Sequence, residues 1–168
     1  MKIELKKISF SERMSDETNC FIADLYINGK KVGECNNDGR GGCTNYGGNT
    51  KEDNVLIAEA EKYCKTLPKV KSEALKFEYA QSLESVIDEQ VTEFLLAKEL
   101  KKKQKMFEKA ICYGVPNGYS YRTVSWSKRT LAQIDKINLQ RAYNDVKAKL
   151  GKGEVILNNN LQALGINL

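Results

Sequence analysis

Asn28-Gly29, set between two runs of alternating apolar residues, constrains this chain more than any other pair. A two-residue type I′ turn needs positive φ at both central positions, and Asn-Gly supplies it at the least steric cost. The flanking segments 20–27 and 30–35 therefore read as an antiparallel hairpin. Residues 3–10 also alternate, Ile3 and Leu5 in one phase and Ile8 and Phe10 in the other. The shift at Lys6-Lys7 predicts a β-bulge. Residues 2–36 are thus expected to form an antiparallel meander.

Beyond it the pattern changes. A long loop is expected over 36–49, then a helix capped by Thr50 with Asp53 three residues on. Leu56, Ala60, Tyr63, Cys64 and Leu67 share one face of that helix, and Pro68 stops it. Over 69–80 strand and helix both stay open: Leu75, Phe77 and Tyr79 alternate, while Glu73, Ala74 and Lys76 suit a helix. From 82 to 109 one long helix is expected, its apolar face Leu83, Val86, Ile87, Phe94 and Leu95, with Phe107 further on. Segments 110–115 and 119–126 flank Pro116-Asn117-Gly118 as a second hairpin. Thr130 and Gln133 form a capping box for a last helix with Leu139, Ala142, Tyr143, Val146 and Leu150 inward and Gly151 at its end. A short strand at 154–157 and an apolar tail at 161–166 follow. The fold class is α+β: an N-terminal antiparallel β-meander packed with helices, a long basic helix, a second β-hairpin and a C-terminal helix. Residues 1–168 read as a single domain, with sub-units 1–67 and 68–168 about a joint at 67–72.

Composition removes whole classes of chemistry. The chain has no histidine. That excludes Ser-His-Asp and Cys-His nucleophiles, a histidine general base, and Cys/His zinc sites. The cysteines, Cys20, Cys35, Cys43, Cys64 and Cys112, are odd in number and include no C-x-x-C pair, so no disulfide framework is expected and a reducing cytoplasm is the expected compartment. No metal, cofactor or catalytic residue is assigned, and the chain is expected not to be an enzyme. No apolar run is long enough to span a bilayer, and the N-terminus lacks the apolar core of a secretory signal, so no membrane partner is expected.

Charge is uneven. Residues 93–152 carry 14 Lys/Arg against 5 Asp/Glu, whereas 1–66 carry 10 against 11. A local positive field attracts nucleic acid or an acidic protein surface. The lysines Lys98, Lys101, Lys102, Lys103, Lys105 and Lys109 on one helix are candidate contacts. So are Tyr119, Tyr121, Arg122, Lys128 and Arg129 of the second hairpin, where aromatic rings beside cations suit unpaired bases. A separate candidate is the glycine-rich loop. Gly39, Gly41 and Gly42 can turn backbone N–H groups toward an anion, with Arg40 and Tyr46 adding contacts. The loop lacks the Lys-Ser/Thr of a P-loop and the G-x-G-x-x-G of a dinucleotide fold.

The stretch from Phe21 to Gly33, running into Asn37-Asp38-Gly39-Arg40-Gly41-Gly42, resembles small proteins of prophages and mobile elements whose activity is uncharacterised. Gly153-Glu154-Val155-Ile156-Leu157-Asn158 and Leu161-Gln162-Ala163-Leu164-Gly165-Ile166 are similar to the ends of the same group. The resemblance implies an anti-defence role, anti-CRISPR-like, and transfers no catalytic residue. The expected function is accordingly that of a non-enzymatic binding protein. It would dock a basic surface on RNA, on an RNA-loaded effector complex, or on an acidic protein surface. Two alternatives stand beside it: sequestration of a nucleotide signal by the glycine-rich loop, and oligomerisation or scaffolding through the 82–109 helix.

Overall fold

In the computed structural model residues 1–72, 77–116, 118 and 120–168 are described. Residues 73–76, where the sequence leaves strand and helix open, and Asn117 and Tyr119 of the expected second hairpin lie outside them. The chain divides into two compact units, Met1–Leu96 and Ala97–Leu168.

The first unit is built on the meander. Strands β1 (Ile3–Phe10), β2 (Phe21–Ile27), β3 (Lys30–Asn37) and β4 (Asn45–Gly48) form one antiparallel sheet in that order. Asn28 and Gly29 have φ of 51° and 84°, as the turn requires. The bulge also falls where the phase shift puts it: Lys7 has φ 52° and the register slips between Lys6 and Ser9. The expected 36–49 loop is shorter than the sequence suggests, because β3 runs to Asn37 and 45–48 return as a fourth strand. Glycine makes this strand pair work. A Cβ on Gly33 would lie 1.8 Å from the Gly47 carbonyl oxygen, so only a bare backbone lets β3 and β4 meet.

Phe21, Ala23, Leu25 and Ile27 point to one sheet face by strand alternation, and all are buried. Helix α1 (Lys51–Cys64) covers them with Ile57, Ala60 and Cys64. Its start is the Thr50 cap, whose Oγ1 accepts from the Asp53 N–H at 3.2 Å. Leu56, Tyr63 and Leu67 of the expected face are not fully buried. A long helix, α2 (Leu83–Lys109), adds Leu83, Ile87 and Val91 to the same core. This is why the unit extends to Leu96 rather than ending at the 67–72 joint. Phe94, expected on the apolar face, is exposed. A short hairpin of β5 (Val70–Ser72) and β6 (Phe77–Tyr79) lies between the helices in sequence. Strand β1 is a sheet edge, a template for unwanted pairing. The Gln90 amide of α2 occupies it, accepting from the Leu5 N–H at 2.9 Å and donating to the Ile3 carbonyl at 3.1 Å.

The outer sheet face holds a buried carboxylate. Asp24 is 8% exposed and is roofed by the stems of Lys31 and Lys7, whose ammonium groups lie 2.6 and 3.2 Å from its two oxygens. The Lys31 hydrogen bond, helped by Lys7 and opposed by burial, holds the Asp24 carboxyl below the usual range.

The second unit contains the C-terminal part of α2, then β7 (Ala110–Gly114), β8 (Arg122–Ser125), α3 (Lys136–Ala148) and β9 (Val155–Ile156). The sheet order is β8-β7-β9, antiparallel throughout. Its core joins Ile111, Leu131, Leu139, Tyr143 and Val146 to Leu161 and Ile166 of the tail. The Thr130 capping box forms, but it starts only a single 3₁₀ turn, Leu131–Gln133. Ile134 is extended, and the Asp135 carboxylate caps α3 afresh by accepting from the Ile137 and Asn138 N–H groups. Gly151 is not a left-handed helix stop; Gly153 has that conformation, in the turn before β9.

One side chain ties the end of α2 to this sheet. Asn158 accepts from the Cys112 N–H at 2.6 Å and donates to the carbonyls of Ala110 at 2.9 Å and Phe107 at 3.2 Å. Asn160 donates to Phe107 as well, at 2.9 Å. The last carbonyls of a helix have no partner within it. Here the tail supplies one.

Two outcomes are expected. Gly33→Ala should cost about 3 kcal/mol, the upper end for overpacking, because its Cβ meets backbone. Gly29→Ala has open space and should cost only about 1 kcal/mol of left-handed strain; urea denaturation of both variants measures the contrast. The folded-state pKa of Asp24 lies below its unfolded value. Its contribution is therefore complete above about pH 4 and lost as pH falls through the folded value. Thermal melts should show a stability gap between wild type and Asp24→Asn that is full at pH 7 and closes below about pH 4.

Candidate functional site

The glycine-rich loop is a candidate because bare backbone can offer N–H groups to an anion. Three of its donors are already used. The Gly39 N–H donates to Asn37 Oδ1 at 2.9 Å, the Arg40 N–H to Asp38 Oδ1 at 3.1 Å, and the Gly41 N–H to Thr18 Oγ1 at 3.3 Å. Buried Asn37 organises the loop. Its Oδ1 also accepts from Thr18 Oγ1, and its amide donates to the Gly42 carbonyl and to Thr44 Oγ1. The Gly39 carbonyl accepts from the N–H groups of Asp16, Glu17 and Thr18. A Cβ on Gly39 would stand 2.2 Å from the Met14 carbonyl oxygen. Glycine here permits close packing on the 11–18 segment.

The field beside the loop also disfavours an anion. A cleft of about 380 Å³ next to Gly41 and Gly42 is lined by Glu84 and Asp88 of α2. Loss of hydration pushes the Asp88 carboxyl up from its usual range; the Thr44 hydroxyl, donating at 2.6 Å, opposes this and Glu84 adds to it. Arg40 is exposed. Tyr46 lies in β4, and its hydroxyl donates to Glu61 Oε1 at 2.9 Å. Burial and that partner push its pKa up to about 12. Of Gly39, Arg40, Gly41, Gly42 and Tyr46, expected as anion or partner contacts, the N–H groups of the first three and the Tyr46 hydroxyl thus have partners within the chain.

The second unit presents the opposite field. Residues 97–168 carry 14 Lys/Arg against 5 Asp/Glu, while 1–96 carry 13 against 17. At about 100° per residue, Lys98, Lys101, Lys102, Lys105 and Lys109 fall within roughly 100° of arc on α2. They make one exposed stripe about 16 Å long at about 1.5 Å per residue. Lys103 leaves the stripe; its ammonium lies 5.8 Å from the Phe107 ring centroid.

Lys109, at the end of the stripe, also lines a cleft of about 490 Å³. The opposite wall is the segment from Ser125 to Thr130. Its turn is closed by the Arg129 N–H donating to the Trp126 carbonyl at 3.3 Å, with Lys128 at φ 58°. The left-handed region is unfavourable for lysine, so the surrounding structure holds it there. The Thr130 N–H bonded to Gln133 Oε1 at 2.9 Å pins the far end of the turn. Lys109, Lys128 and Arg129 bring three cations into one cleft, and among the described residues no carboxylate lines it. Thr123, Ser125, Ser127 and Thr130 add hydroxyls. Trp126 packs against the unit's core and also lines the cleft.

Of the residues expected from sequence, the structure gathers Lys109, Lys128 and Arg129. Arg122 is committed elsewhere: it pairs with Glu154 and stacks 4.6 Å from the Tyr113 ring. Tyr121 is exposed just before β8. Tyr119 is outside the described residues. Trp126, not among the residues expected from sequence, packs against the core and forms a cleft wall too. The signal that points to it is local: Ser125-Trp126-Ser127-Lys128-Arg129-Thr130 interleaves hydroxyls, cations and an aromatic.

Burial pushes the Cys35 thiol up to about 12 and raises those of Cys64 and Cys112, which keeps all three as thiols at neutral pH. Among the described residues no group of three or more His, Cys, Asp or Glu side chains is placed to hold a metal ion, and no helix is long and apolar enough to cross a membrane. Compared with protein-family models, curated proteins and solved structures, the chain matches none.

The left-handed Lys128 separates charge from fold. Lys128→Gly relieves backbone strain while removing a cation. It should leave the melting temperature equal or higher and weaken retention on immobilised heparin, eluting at lower salt than wild type.

Proposed function

We propose that the chain is a non-enzymatic binding protein that docks the basic surface of residues 97–168 on RNA, free or carried by an RNA-loaded effector. One observation carries this reading: the lysine stripe of α2 ends at Lys109, which the second unit brings to the same cleft as Lys128 and Arg129. Closely spaced cations on an exposed face bind a phosphate backbone by releasing its counterions. The likeness of 21–42 and 153–166 to mobile-element proteins supplies the setting, an anti-defence, anti-CRISPR-like inhibitor that masks an effector's RNA. Against a nucleotide pocket in the glycine-rich loop stand its spent N–H groups and the two carboxylates beside it.

Fluorescence anisotropy of a labelled RNA at rising salt tests the proposal. Binding at about 50 mM salt is expected, weakening with a log–log slope near about −4 if about six cations meet a single strand. Lys101→Gln with Lys105→Gln should make that slope shallower by about 0.7 for each lysine–phosphate pairing removed. No binding to any RNA at about 50 mM salt would sink the reading.

A further inference from the structure

We infer that the cleft between the end of α2 and the turn after β8 seats one unpaired nucleotide, its base against the Trp126 indole and its phosphates on Lys109, Lys128 and Arg129. This rests on the RNA reading above and narrows it from a charged surface to a site with a strand preference.

Size is the first argument. A volume of about 490 Å³ is within the range of pockets that take small molecules, and so admits a single nucleotide. Chemistry is the second. A site for phosphate alone needs cations and hydroxyls, not an indole. Aromatic faces beside cations are how single-strand binders hold a strand, since every base has a face to stack. A duplex keeps its bases stacked inside and offers this indole nothing. The hydroxyls of Ser125, Ser127 and Thr130 each donate and accept, so they can meet either kind of base edge without selecting sequence. Preorganisation is the third. Trp126 is held from behind by the core, and the 126–129 turn keeps Lys128 in a conformation that lysine does not choose alone. The neighbouring cleft beside Trp126 sets Asp135 and Asp145 against Arg129 and Arg141 and so carries no net charge, whereas the cleft with Lys109 and Lys128 has three cations and, among the described residues, no carboxylate.

Trp126 is the sole tryptophan of the chain, so its emission reports the two clefts that share it, of which only the one with Lys109 and Lys128 has an excess of cations. The wild-type protein is titrated at about 50 mM salt with a short unpaired RNA, with the same strand in a duplex, and with heparin, while anisotropy reads binding in parallel. Unpaired RNA should quench the emission; duplex and heparin should bind without quenching. Trp126→Leu, which removes the aromatic face but keeps an apolar side chain, should weaken the unpaired strand about ten-fold and leave duplex affinity unchanged. Equal quenching by heparin, or binding of unpaired RNA with no change in emission, overturns the nucleotide seat while leaving the broader RNA reading intact. Equal losses for both strands in Trp126→Leu, at an unchanged melting temperature, also overturn it. Failure of all three ligands to bind overturns both.

Discussion

The hydrogen bonds of Asn158 set the geometry on which the second unit depends. A helix that ends directly in a strand leaves carbonyls that neither element satisfies. Asn158 meets them at Phe107 and Ala110 and accepts from Cys112 in the strand that follows. Its side chain thereby fixes where Lys109 stands relative to β7. The pairing of β7 with β8 then fixes where the chain emerges at Trp126, and the turn that follows brings Lys128 and Arg129 back toward Lys109. A residue more than forty positions away in sequence thus fixes the end of α2, one wall of the cleft, against β7.

The two units put opposite electrostatics on one chain. In the first, buried carboxylates are neutralised locally, Asp24 by Lys31 and Lys7 and Asp53 by Lys30 at 2.7 Å. The Asp24 pairs tie β2 to β1 and β3, the Lys30–Asp53 pair ties the sheet to α1, and the unit's carboxylates outnumber its cations. In the second, cations outnumber carboxylates nearly three to one. Glu154, which could neutralise part of the excess, is taken by Arg122 and by the Gly151 N–H. Seven of the unit's 14 cations stand on the stripe and the cleft.

Local rules make much of this legible. Asn28-Gly29, the Lys6-Lys7 phase shift, the Thr50 cap and the long α2 all follow from spacing and turn chemistry, and all stand in the structure. Strand β4 is hidden from such rules because Gly47 and Gly48 read as loop residues, whereas the close neighbours they admit have no local pattern to name them. The sequence places the start of α3 too early because Thr130 and Gln133 make a valid capping box, but the extended Ile134 ends that turn and Asp135 caps the helix afresh. The site is half legible. Clustered charge points to the region, but which cations converge depends on the Asn158 clamp and on a left-handed Lys128, neither of which has a sequence period. In the glycine-rich loop, glycine signals freedom of backbone, and the position of Asn37 shows that freedom used for packing.

On the proposed reading, ligand meets this chain at the basic cleft and stripe and leaves the glycine-rich loop untouched. Amide chemical-shift mapping of the isotopically labelled chain during titration with a short unpaired RNA tests this most directly. Shifts concentrated at residues 98–110 and 123–130, with residues 37–46 unmoved, are expected. Shifts centred on 37–46 with the cleft silent would contradict it.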